Sequence, residues 1–124
     1  MDKEIREIIT LDDVTYKFRV APFMSAKNHA FKLLRILKGS ITLQGEDFSV
    51  DVGEVLANIG MKETQEAEAF VLTYTEVEVN GETVLLKGSA NIEKHFGEYR
   101  SHYVQVIFEG GKHHFLPFLP DGLL

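Results

Sequence analysis

The chain has 124 residues, 44% of them hydrophobic and 26% charged, and a formal net charge of −6. That describes one globular domain, long enough to bury a core without disulfides or metals. With no cysteine, disulfide frameworks, thiolate zinc sites, iron–sulfur clusters and cysteine nucleophiles are excluded, and the acidic balance argues against a protein that grips nucleic-acid backbones.

The opening Met1-Asp2-Lys3-Glu4 is charged and no apolar h-region follows, which predicts no secretory leader. No run approaches the roughly 18 apolar residues of a membrane span. The expectation is a cytoplasmic protein with no membrane partner.

Residues 4–20 read as a β-hairpin. Asp12-Asp13 supplies the turn, and Val14, Tyr16, Phe18 and Val20 alternate strictly with Thr15, Lys17 and Arg19. Pro22 ends the strand. Ser25 is the expected cap of a helix to about Lys38, with Phe23, Ala26, Ala30, Leu33, Leu34 and Leu37 as its apolar stripe and Gly39 at its end. Residues 40–50 allow either a strand pair around Gln44-Gly45-Glu46 or an irregular loop. A short helix is expected over Asp51 to Ile59, stopped by Gly60, and another over Lys62 to Tyr74.

Asn80-Gly81 lies between two β-rich runs, Thr75–Val79 and Glu82–Leu86. Both residues tolerate the positive φ of a two-residue hairpin turn. Asn91 or Ser89 then caps a final helix from about Ile92 to Phe108, with Ile92, Phe96, Tyr99, Tyr103, Val106 and Ile107 on one face. Gly97 weakens its interior and Gly110-Gly111 is read as its stop. Residues 110–124 form an apolar, proline-punctuated tail that either folds back on the core or stays extended as a partner- or self-association surface. The fold class is α+β in a single domain, residues 1–124: an N-terminal hairpin, short helices, a second hairpin and a C-terminal amphipathic helix.

Little in the sequence points to catalysis. His95 and His102 stand seven apart, about 10 Å along a continuous helix, too far to share a metal. Zinc helices use i, i+4 spacing. His29, His113 and His114 complete the set, and all five read as surface or interface residues. The carboxylates, including Glu63, Glu66 and Glu68, read as a solvated face. No nucleophile elbow or phosphate loop is present. No catalytic residue, cofactor or metal site is expected. Lys27, Lys32, Arg35 and Lys38 form a basic helix face, read as solvated because no aromatic interleaves it.

Three segments together carry a resemblance. Ile8-Ile9-Thr10-Leu11-Asp12-Asp13-Val14-Thr15-Tyr16-Lys17-Phe18 leads into Ala21-Pro22-Phe23 and a Lys/Leu helix. Val79-Asn80-Gly81-Glu82-Thr83-Val84-Leu85 follows. Ile92-Glu93-Lys94-His95-Phe96-Gly97-Glu98-Tyr99 then precedes Val106-Ile107-Phe108-Glu109. This order resembles the small tail assembly chaperones of tailed bacteriophages and prophages, over most of residues 5–109. The chain departs from that pattern at Gly110-Gly111-Lys112-His113-His114, where a continuing helix would stand.

The resemblance implies a protein that works by binding, without nucleotide or metal, in the cytoplasm of a bacterial host. Its partners would be the tape measure protein, which it keeps soluble, and the tail tube protein, which it helps recruit. Exposure logic places partner contact or self-association at Phe31 and Leu34, at Tyr99 and Tyr103, and in the tail at Phe115, Leu116, Phe118 and Leu119. Two alternatives are a structural tail or baseplate component retained in the virion, and a small enzyme or ligand-binding domain with a deep pocket.

Overall fold

Two tight turns organise the sheet. Asp12 and Asp13, both at positive φ (49° and 67°), join β1 (Ile5–Leu11) to β2 (Val14–Arg19). Aspartate visits this left-handed region more readily than most residues because its short side chain bonds locally. Asn80 (φ 52°) and Gly81 (φ 83°) likewise join the two strands of the second hairpin, Thr75–Val79 and Glu82–Leu85. The computed structural model describes residues 5–37, 41–44, 47–50 and 61–118.

Between the two hairpins lies a separate antiparallel pair, β3 (Ile41–Gln44) and β4 (Asp47–Val50). The strand-pair reading of this region therefore holds. The second hairpin supplies β5 and β6, and the main sheet runs β1-β2-β5-β6, antiparallel throughout. Its two faces differ as the alternation predicts. Val14, Tyr16, Phe18, Thr75 and Val77 are buried. On the other face Lys17 pairs with Glu78 at 2.9 Å and Arg19 with Glu76 at 3.6 Å.

The helices are α1 (Phe23–Leu37), α2 (Lys62–Thr73), α3 (Ser89–Glu98) and α4 (Tyr103–Phe115). Short 3-10 turns at Arg100–His102 and Leu116–Phe118 precede and follow α4. The core joins Val14, Tyr16 and Phe18 to Ala30, Phe70, Val71, Val106 and Ile107 of the helices. The architecture is α+β, as expected.

Four local expectations need correction. First, α1 starts before Ser25: the Ala26 N–H donates to the Pro22 carbonyl at 3.0 Å, and the fixed φ of proline suits a helix start. Among its residues of described burial, Ala26 and Ala30 are buried and Leu33 half-buried, while the side chains of the expected Leu34 and Leu37 lie outside those described. Phe23, placed on the apolar stripe by its spacing, is 65% exposed.

Second, the last helix is not continuous. It breaks at Tyr99, whose φ of −117° and ψ of 52° leave the helical region. The expected stripe survives the break, with Phe96, Val106 and Ile107 buried and Ile92, Tyr99 and Tyr103 packed against them.

Third, neither Ser89 nor Asn91 caps α3; the N-cap is Gly88 at φ 93°. Asn91 Nδ2 donates instead to the Leu85 and Lys87 carbonyls, at 3.1 and 3.3 Å.

Fourth, α4 runs straight through Gly110-Gly111 to Phe115. Gly110 is there for close approach: a Cβ would overlap Val71 Cγ1 and stand 3.1 Å from Phe18 Cε1. The helix lies tightly against α2 and β2 at the point where it lacks a side chain.

The expected helix over Asp51–Ile59, its stop at Gly60, Gly39, and the tail from Leu119 onward lie outside the described residues.

Candidate functional site

The inward alternation of β2 buries Tyr16 completely, and a buried phenol needs a hydrogen-bond partner. It has two. Its hydroxyl lies 2.7 Å from His95 Nε2 and 2.8 Å from His102 Nδ1. His102 Nε2 lies 3.0 Å from the Asp12 carboxylate, which is largely in solvent. With both imidazoles neutral, the directions follow. The carboxylate only accepts, so His102 Nε2–H donates to Asp12 and leaves Nδ1 as an acceptor. Tyr16 O–H donates to that Nδ1, and His95 Nε2–H donates to the Tyr16 oxygen.

The break at Tyr99 makes this possible. On an unbroken helix His95 and His102 would sit two turns apart. Here both rings converge on one oxygen, and Tyr99 packs on each of them, with centroids 5.0 and 5.3 Å away. Burial pushes the Tyr16 hydroxyl well above its usual pKa, with Tyr99 adding to the effect. Burial also holds His95 below the ordinary histidine value, and the neighbouring His102 lowers it further. With the Tyr16 residue fully buried, this chain of contacts fastens the first hairpin to the α3–α4 corner.

Two more polar groups are interior. Glu68, read from sequence as solvated, is buried: it accepts from Thr64 at 2.9 Å and from the Tyr103 hydroxyl. Burial, then Glu68, raises the Tyr103 pKa. His114 is buried against Phe70, Tyr74 and Phe115. Its Nε2 has no partner among the described residues, and burial, helped by His113, pushes its pKa down to about 3. The surface reading is thus wrong for His95, His102 and His114, each of which the core encloses.

The surface holds the other notable feature. α1 also carries exposed apolar residues that flank its buried alanines. Phe23, Met24 and Phe31 are 65%, 59% and 48% exposed. The turn after α4 brings Phe118 to them, with ring centroids 5.6 Å from Phe23 and 6.5 Å from Phe31. Lys27 stands between Phe23 and Phe31 in sequence, one turn from each. Aromatic residues therefore do interleave the basic stretch of this helix.

The residues expected to meet a partner divide accordingly. Phe31 and Phe118 come together, and Leu116 is half-buried beside them in the same turn. Phe115 is buried and stacks on Phe70 at 5.9 Å. Tyr99 and Tyr103 are half-buried, and their ring neighbours are His95, Phe96 and His102. Leu34 falls within α1. Leu119 lies outside the described residues.

The family model described as "Phage tail assembly chaperone protein, TAC" matches residues 9–124, nearly the whole chain. The chain belongs to the phage tail assembly chaperone family. Two uncharacterized proteins of Xylella fastidiosa (strain Temecula1 / ATCC 700964) are each 26% identical to this tail assembly chaperone over 117 residues, covering 91% of it and 84% of their own length. No solved structure matches the chaperone. Family membership implies a binding role. No helix among the chaperone's described residues is long and apolar enough to cross a membrane.

Sequence reasoning missed the chaperone's Tyr16 network. One signal was available: an inward-facing tyrosine between Val14 and Phe18 demands a buried partner, and histidines on a facing helix are natural ones.

Proposed function

We propose that this chaperone binds the tape measure protein of its phage through the surface made by Phe23, Phe31 and Phe118, keeps it soluble in the host cytoplasm, and helps recruit tail tube subunits onto it. The observation that carries this reading is the aromatic cluster: the Phe118 ring packs against both Phe23 and Phe31, which are exposed, on one side of a small acidic protein. Exposed apolar clusters mark contact sites, and a net charge far from zero keeps a complex with an apolar client in solution. The binding needs no chemistry from the chaperone.

Co-expression tests the reading. The tape measure protein of the same genome should move from the pellet to the soluble fraction when the chaperone is present. It should return to the pellet with Phe31→Glu. An unchanged distribution with the unaltered chaperone would contradict the proposal. Mass spectrometry of purified virions addresses the alternative, a component retained in the particle; the proposal expects the chaperone to be absent from them.

A further inference from the structure

We infer that the segment seated on the Phe23–Phe31–Phe118 surface is an amphipathic helix whose apolar stripe is flanked by acidic residues. This rests on the reading that the surface binds the tape measure protein, and it specifies which part of that protein is recognised. In a chain of net charge −6, α1 carries Lys27, Lys32 and Arg35 and no acidic residue. Lys32 is already paired with Glu66 on α2. Lys27, between the two exposed phenylalanines, has no carboxylate partner among the described residues, although its side chain is half-buried. A half-buried lysine lays its methylenes along the apolar surface and keeps its charge at the rim.

The spacing suits a helix. Phe23 and Phe31 are eight residues apart, about 12 Å along α1, and Phe118 contacts both rings. Two turns of a partner helix present apolar anchors at i, i+4 and i+7 over the same length. Carboxylates beside those anchors reach the Lys27 ammonium, while basic flanks would meet it with like charge. Rim charges of this kind govern encounter rate and salt dependence, while the apolar contact supplies most of the affinity.

The experiment uses overlapping labelled peptides of roughly 20 residues covering the tape measure protein, titrated with the full-length chaperone at about 50 and about 300 mM salt. The binding peptides should combine the i, i+4, i+7 apolar pattern with flanking carboxylates. Lys27→Glu should weaken binding about tenfold at the lower salt and much less at the higher. Phe31→Ala should weaken it at both. Circular dichroism melts confirm that these surface variants fold. Binding that depends on Phe31 but not on salt or Lys27 would overturn the acidic-flank inference and leave the tape measure reading standing. Binding by neither the peptides nor the intact tape measure protein would overturn that reading itself. A labelled oligothymidine that binds with the same Lys27 and Phe31 dependence, where no peptide does, would assign the surface to single-stranded nucleic acid and overturn both.

Discussion

The hydroxyl of Tyr16 and Nδ1 of His102 lie 2.8 Å apart in the interior, joining the second strand of the chain to a turn near its C-terminal end. The same hydroxyl meets His95 Nε2 at 2.7 Å. One side chain thus satisfies two buried imidazoles. Tyr16→Phe keeps the ring and its parallel stacking on Phe96 but leaves both nitrogens unpaired. It should cost about 1–3 kcal/mol of stability, read as a lower urea midpoint with an unchanged slope. A variant as stable as the parent would show that water or a rearranged ring replaces the hydroxyl.

Acid should weaken the fold through the buried His95 and His114 and the half-buried His29. His29, His95 and His114 all have folded-state pKa values below the ordinary histidine value of 6.5, with burial the largest cause for each. The unfolded chain therefore takes up protons that the folded chain refuses. Their contribution is complete above about pH 6.5 and is lost progressively as pH falls, for His114 down to about pH 3. His114→Leu removes the most strongly shifted group together with its unpartnered Nε2. The variant should match or exceed the parent at neutral pH, because an apolar group replaces an unsatisfied one. Its urea midpoint should fall less between about pH 7 and about pH 5. Equal acid sensitivity in the two proteins would contradict this.

The two adjacent glycines of α4 should respond in opposite directions. Gly110→Ala forces a methyl into Val71 and Phe18 and should cost about 1–3 kcal/mol. At Gly111 the nearest atom to an added Cβ is on the Phe115 ring, at 3.9 Å, which is ordinary contact. Gly111→Ala should therefore raise stability by about 0.5–1 kcal/mol through helix propensity. Thermal melts of the two variants check the contrast. A stabilising Gly110→Ala would mean that the helix does not approach β2 so closely.

These positions also show what was legible in the sequence. Both hairpins were readable because their turns need positive φ at two successive residues, and Asp12-Asp13 and Asn80-Gly81 are pairs that tolerate it. The β2 alternation directly reports which side meets the helices. The break at Tyr99 was not readable, because the apolar stripe from Ile92 to Ile107 continues across it. What opens the helix is tertiary: the convergence of His95, Tyr99 and His102 on Tyr16. Gly110-Gly111 misled for a related reason, since a glycine that admits a neighbour and a glycine that ends a helix look alike until the neighbour is known. At the surface, Phe31 and Phe118 were singled out individually. Their meeting with Phe23 depends on α4 continuing through the glycines, which local preference argues against.

The most direct measurement is size-exclusion chromatography with light scattering on the chaperone co-expressed with its tape measure protein. The account predicts a soluble complex of defined mass. It should be lost with Phe31→Glu and retained with Ile8→Glu, a control at an exposed position of β1 opposite Lys17 on the charged face of the sheet. A complex that survives Phe31→Glu and dissociates with Ile8→Glu would contradict the assignment of the binding surface to α1 and the turn after α4. No complex with the unaltered chaperone would contradict the proposed function.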